Sequence, residues 1–154
     1  VKWLMSIVIL SIVMLSGCSK EANNNTFAGI EKSDISDLAN ESNVAEFKGS
    51  SENWAAVYFN YTGKDNSEQK RIYLKYIGDG SSPTGDINYN YDLGNANVGS
   101  GSVTFKVAPE KGIYYLGPIA KNEAKKDKSN SMNLQIIWNG DGNSESIVLR
   151  PVSK

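Results

Sequence analysis

The chain has no histidine, one cysteine and two arginines in 154 residues. Without histidine it lacks the side chain that titrates nearest neutral pH and the commonest transition-metal ligand. With Cys18 as the lone thiol, most nucleophile–base pairs are excluded too. A single cysteine forbids any disulfide within the chain, so an exported fold must hold by packing. Lys and Arg number 16 against 17 Asp and Glu, a net charge of −1. That balance supplies no basic stripe to displace the counterions of a nucleic acid, so no nucleic-acid partner is expected. No motif calls for a cofactor. Nor does any apolar run approach the roughly 20 residues that cross a bilayer as a helix.

One shorter apolar run is present. Lys2 gives a positive start, Leu4 to Leu15 is almost wholly apolar, and the small residues Ser16 and Gly17 precede Cys18. This has the form of a signal peptide. Leu15-Ser16-Gly17-Cys18 matches [LVI]-[ASTVI]-[GAS]-C in full, and in this the stretch resembles bacterial lipoprotein precursors. The resemblance covers about the first eighteen residues. It implies cleavage between Gly17 and Cys18, a diacylglyceryl thioether on the Cys18 sulfur, and acylation of the new amine. Two or more acyl chains suffice for stable anchoring, at about 0.8 kcal/mol per buried CH₂. The resemblance therefore makes the membrane a partner through the lipid on Cys18. Ser19 is not the aspartate that retains such proteins in an inner membrane. With 14 Lys against 2 Arg, the composition is similar to that of low-GC Gram-positive bacteria. The expected location is the outer face of the plasma membrane, with an outer membrane as the alternative.

Residues 18–44 are polar, with Asn23-Asn24-Asn25 followed by Ser, Asp, Glu and Lys. Such a stretch buries too little apolar surface to offset its ordering entropy and reads as a flexible, lipid-anchored tether. Within it, Ser33 can cap a short helix over 34–38, in which Ile35 and Leu38 share one side.

From Ala45 the hydrophobic period becomes two. Ile87, Tyr89, Tyr91 and Leu93 alternate with Asp86, Asn88, Asn90 and Asp92, which predicts a strand with one apolar and one polar face. Trp54 to Tyr61 is large on both faces, as a central strand would be. Ile72-Leu74-Tyr76, Val103-Phe105-Val107, Ile113-Tyr115, Leu134-Ile136-Trp138 and Ile147-Leu149 repeat the signal. Turn chemistry separates them, in 62–66, 78–83, 94–101 and 139–143. About seven strands without a long helix predict a single all-β domain over 45–154, an antiparallel immunoglobulin-like β-sandwich, with an open barrel as the alternative.

Two short motifs carry a further resemblance. Phe47, Gly49 and Ser51-Glu52-Asn53-Trp54 are similar to the F-x-G-x-S-E-N-W opening of a β-domain in uncharacterised lipoproteins of low-GC Gram-positive bacteria. Trp138, Gly140, Glu145, Ile147 and Leu149 resemble its closing hairpin, although Ile136 and Ile137 both precede Trp138. The resemblance implies architecture and no chemistry.

Two groups of residues are candidate binding sites. Asn139, Asp141, Asn143 and Glu145 stand at every second position, similar to a calcium loop of short oxygen side chains. Ser144 occupies the required glycine position and Arg150 that of the bidentate glutamate, so a plain hairpin turn accounts for the run equally. Among eight tyrosines, Tyr58 and Tyr73 are the candidates for an exposed platform that stacks on sugar rings. A basic loop, 121–128, holds four lysines, fewer than usual for lipid recognition once Glu123 and Asp127 are counted. Catalysis would fall to Asp65, Glu68, Asp79, Asp86 and Asp92, which lie in turns or on a polar face, so no enzyme is expected. The expectation is a non-enzymatic binding or interaction module on a lipid anchor. A cell-wall or glycan-binding module, a carboxylate-based hydrolase and an accessory subunit of a membrane complex are the alternatives.

Overall fold

The computed structural model describes residues 26–35, 38, 41, 44–94, 97–119 and 130–152. The expected signal peptide, Cys18 and the lysine-rich loop 121–128 lie outside them. Ten strands follow in order: β1 (Thr26–Phe27), β2 (Ile30–Glu31), β3 (Val44–Ser50), β4 (Trp54–Thr62), β5 (Glu68–Tyr76), β6 (Gly85–Asp92), β7 (Val98–Phe105), β8 (Ile113–Pro118), β9 (Met132–Trp138) and β10 (Asn143–Pro151). Among the described residues there is no α-helix, only 3-10 turns at Lys32–Asp34 and Glu110–Gly112.

The expected all-β, antiparallel, sandwich-like fold is present as one eight-stranded sheet folded over on itself, in the order β7-β6-β9-β10-β3-β4-β5-β8. The fold line is the pairing of β10 with β3, which has only two register partners, Arg150 with Lys48 and Pro151 with Phe47. Gly49 makes that corner possible, because a Cβ there would sit 2.4 Å from the carbonyl oxygen of Val148. The half β7-β6-β9-β10 thereby packs over the half β3-β4-β5-β8. At the far side the edges β7 and β8 come together, and Phe105 meets Tyr114 edge to face at 4.9 Å.

Between the halves lies the main core. Trp54 and Tyr58 of β4, Ile72 and Leu74 of β5, Ile87 of β6 and Leu134 of β9 all belong to it. Trp54 is its centre, fully buried, with Tyr114 at 5.1 Å, Tyr76 at 5.2 Å and Trp138 at 5.6 Å, each in an edge-on arrangement. Such aromatic pairs add stabilisation beyond their buried area.

Two expectations need correction. The first is the turn over 94–101, because Gly99, Ser100 and Gly101 belong to β7. A glycine-rich strand is unusual, and here the side chains of Tyr91 and Tyr89, paired in register with Gly99 and Gly101, occupy the space a Cβ would need.

The second is the tether, which does not run free to residue 44. β1 and β2 form a small ribbon, and Ile30, Ile35 and Leu38 are buried with Val57, Phe59, Tyr61 and Tyr73 in a second apolar cluster. This cluster covers the outer face of β4 and β5. Polarity of the segment as a whole concealed three well-placed apolar side chains whose burial needs a partner sheet. The helix expected over 34–38 is replaced, in its described part, by the 3-10 turn Lys32–Asp34, in which Glu31 and Asp34 cap reciprocally. Lys48 lies over the Phe27 ring at 5.8 Å, and Lys111 is ion-paired with Asp34, so both ends of the segment are held.

Candidate functional site

Tyr58 and Tyr73 do not form a platform. They alternate in burial direction with the neighbouring strand positions: Tyr58 packs in the main core and Tyr73 under the N-terminal segment, at 2% and 8% exposure. The physical reason is that β4 and β5 are covered on both sides. Tyr73 stacks on Tyr115 at 5.0 Å, and burial pushes its phenol up to about 12, with Arg71 opposing. Arg71 donates from Nη1 to the Tyr115 hydroxyl at 3.2 Å, a bond within the surface lattice of this half.

The two carboxylates of 139–145, Asp141 and Glu145, do not converge either. Asn139, Gly140 and Asp141 all have positive φ, at 55°, 61° and 68°, and form the β9–β10 turn. Asn and Asp tolerate this conformation. Asp141 accepts from Asn88 Nδ2 at 3.2 Å, and Asn143 is the first residue of β10. Glu145 turns away to a different task. Its carboxylate accepts from the hydroxyl of Ser51, the side-chain amide of Asn53 and, at 3.1 Å, the backbone N–H of Asn53. Burial pushes the Glu145 carboxyl up, but these three bonds outweigh it and hold the group below its usual value. Thus Ser51 and Asn53 of the first motif meet Glu145 of the second, and the pair ties the β3–β4 turn to β10. Among the described residues no group of three or more carboxylate or thiol side chains could hold a metal ion.

The open feature is elsewhere, on the outer face of β7-β6-β9-β10, where a groove of about 500 Å³ runs across the strands. Register builds it from two rungs. In the first, Ser100, Asn90, Gln135 and Ser146 stand opposite one another on β7, β6, β9 and β10. The second rung is Val98, Asp92, Asn133 and Val148, so its middle is polar and its ends are apolar. Side-chain bonds fix the amides: Asn90 Nδ2 donates to Gln135 Oε1 at 3.0 Å, and Gln135 Nε2 donates to Ser144 Oγ at 3.2 Å. Asp92 accepts from the Gly94 N–H at 2.7 Å, steadying the turn into β7. The lining contains no lysine or arginine and one carboxylate, that of Asp92.

The polar face of β6 was visible in the sequence, but its role in a groove was not. What could have marked it is composition, since Asn and Asp are depleted in strands. Here Asn88, Asn90 and Asp92 stand on β6 and Asn133 on β9, both central in their half.

A second hollow, about 400 Å³, lies where Asp34 and Ile35 meet Glu110, Lys111 and Tyr115. Two carboxylates line it, yet Lys111 beside Asp34 holds that carboxyl below its usual range. A general acid needs the opposite shift. Comparison of the chain with protein families, with curated proteins and with solved structures finds no match.

Proposed function

We propose that this chain is the precursor of a lipid-anchored extracytoplasmic protein whose β domain is a binding module without catalysis. The observation that carries the reading is the run Leu4 to Leu15 ending in Leu15-Ser16-Gly17-Cys18, followed within a few residues by a domain that packs without disulfides. The lipid on Cys18 holds the module to the outer face of the plasma membrane, an outer membrane being the second location this anchor allows.

Two features favour binding over hydrolysis. The Glu145 carboxylate is consumed in joining β10 to the β3–β4 turn. Asp34 is likewise engaged by Lys111. Against these, the amide-lined groove presents ordered donors and acceptors that suit recognition.

The test is to express the full chain in a bacterial host and follow the N-terminal peptide by mass spectrometry and detergent-phase partitioning. Wild-type protein should carry diacylglycerol on Cys18 and enter the detergent phase. Cys18→Ser should be unprocessed and should lose the lipid. Identical fractionation and processing of the two would refute the anchor.

A further inference from the structure

We infer that the groove on the outer face of β7-β6-β9-β10 is a binding site for an uncharged oligosaccharide. This rests on the reading of the domain as a binding module and adds the ligand class. Four observations point to it.

The groove's size, about 500 Å³, falls within the roughly 300–1,000 Å³ of ordinary ligand sites. Its lining lacks Lys and Arg, so no cationic side chain there pairs with a phosphate, sulfate or carboxylate. Its central rung, Ser100-Asn90-Gln135-Ser146, is hydroxyl, amide, amide, hydroxyl. Each of these groups both donates and accepts, as a sugar hydroxyl does. One donor of Asn90 and the acceptor oxygen of Gln135 are used between them, which orients both amides while leaving capacity for a ligand. The adjoining rung ends in Val98 and Val148, exposed at 61% and 42%. Three strand spacings separate these valines, about 14 Å, and they offer apolar contact to the C–H faces of rings laid across the strands.

Placement strengthens the case. Asn and Asp at Asn88, Asn90, Asp92 and Asn133 on two central strands go against strand propensity. Asn88 donates to Asp141 and Asp92 accepts from the Gly94 N–H, which leaves Asn90 and Asn133 as the departures that line the groove, and such departures concentrate at functional sites. No such concentration occurs on the opposite outer face, where the N-terminal segment covers β4 and β5 with Ile30, Ile35 and Leu38. One face of the fold is sealed by the chain itself, and the other is left open and polar.

The experiment uses the full chain extracted in detergent micelles, titrated by calorimetry with neutral tetrasaccharides of gluco, manno, galacto and N-acetylglucosamine type in α and β linkage. Poly(glycerol phosphate) and an extended uncharged Ser/Gly peptide are run beside them. At least one neutral sugar should bind with Kd below about 1 mM, in the range of −4 kcal/mol or better. Asn90→Ala with Gln135→Ala should weaken it about tenfold or more at unchanged thermal midpoint, since both side chains are exposed. Ser146→Trp, which fills the groove from the position opposite Gln135, should abolish it. Absence of binding by every neutral sugar overturns the inference, as does binding of the anionic polymer or the peptide alone. Sugar binding indifferent to both variants places the site elsewhere and equally overturns it. Acylation of Cys18, read by mass on the same sample, is independent, so a failed ligand class is distinguishable from a failed anchor.

Discussion

The hydroxyl of Tyr89 on β6 donates to the carbonyl oxygen of Leu116 on β8 at 2.8 Å, a buried bond that spans the seam between the sheet's two edges. The ring reaches it by lying against Gly101 of β7, where a Cβ would be 2.4 Å from the tyrosine oxygen. The seam is therefore closed by a side chain and not by a backbone ladder. Tyr89→Phe leaves the Leu116 carbonyl buried without this donor and should cost about 1–3 kcal/mol. Gly101→Val, which displaces the ring itself, should cost more. Urea unfolding of the two variants checks the order, and a neutral Tyr89→Phe would show that the seam does not depend on the bond.

Acid should loosen the β3–β4 corner. The Glu145 carboxyl has a folded-state value below its ordinary 4.5. A depressed folded value means that the stabilisation is fully present above about pH 4.5 and fades as the pH falls through the lowered value. Glu145→Gln should flatten the acid limb of the stability profile while lowering stability at neutral pH. A profile with an undiminished acid limb in that variant would assign the acid sensitivity to other carboxylates.

The N-terminal segment should behave as part of the domain. Leu38 is fully buried, and Leu38→Ala should destabilise by about 2–5 kcal/mol, as core truncations do. Ile30→Asp should detach the segment and expose it to trypsin at Lys32. Tyr73, pushed up to about 12 by burial, should then ionise nearer its ordinary 10.0 in a spectrophotometric titration. Unchanged proteolysis and titration would mean that the cover is not stably docked.

Calcium should leave the domain's thermal midpoint where it is. Asp141 serves the turn and Asn88, and Glu145 is held by Ser51 and Asn53, so the two carboxylates of 139–145 serve separate tasks. A ligand at 100 times its Kd would add about 2.7 kcal/mol, a shift that calorimetry would register. An upward shift at millimolar calcium would reinstate the loop as a metal site.

Strand periodicity made most of the fold legible. The alternation of Ile87, Tyr89 and Tyr91 with Asn88 and Asn90 gave β6 directly, because one face is core and the other solvent. β3 was hidden, since Glu46 to Gly49 is neither alternating nor fully buried. The second half of β7 was legible in Val103 and Phe105, but its first half was hidden for a different reason: the inward positions there are Gly99 and Gly101, and the buried bulk is supplied by tyrosines of a neighbouring strand.

The N-terminal cover left a trace in β4 that the polarity of 26–44 masked. Trp54, Ala56 and Tyr58 face the main core while Val57, Phe59 and Tyr61 face the other way, and all are buried. A strand apolar on both faces demands something on each, and the N-terminal segment held unassigned apolar residues able to supply it, among them Phe27, Ile30, Ile35 and Leu38. The amide groove was illegible because it depends on register, which sets Asn90 beside Gln135 across 45 residues of sequence.

On the proposed anchor at Cys18, the docking of Ile30, Ile35 and Leu38 would also set a stand-off distance. From Cys18 to Thr26 there are eight residue steps, against twenty-six to Val44. At about 3.5 Å per step the greatest contour shrinks from about 90 Å to about 28 Å. A compact domain of this size is itself about 35 Å across. With acyl chains on Cys18, the domain would ride nearer to the lipid headgroups than its own width, able to swivel but not to patrol. On the proposed anchor, a ligand of the groove would have to come down to the membrane.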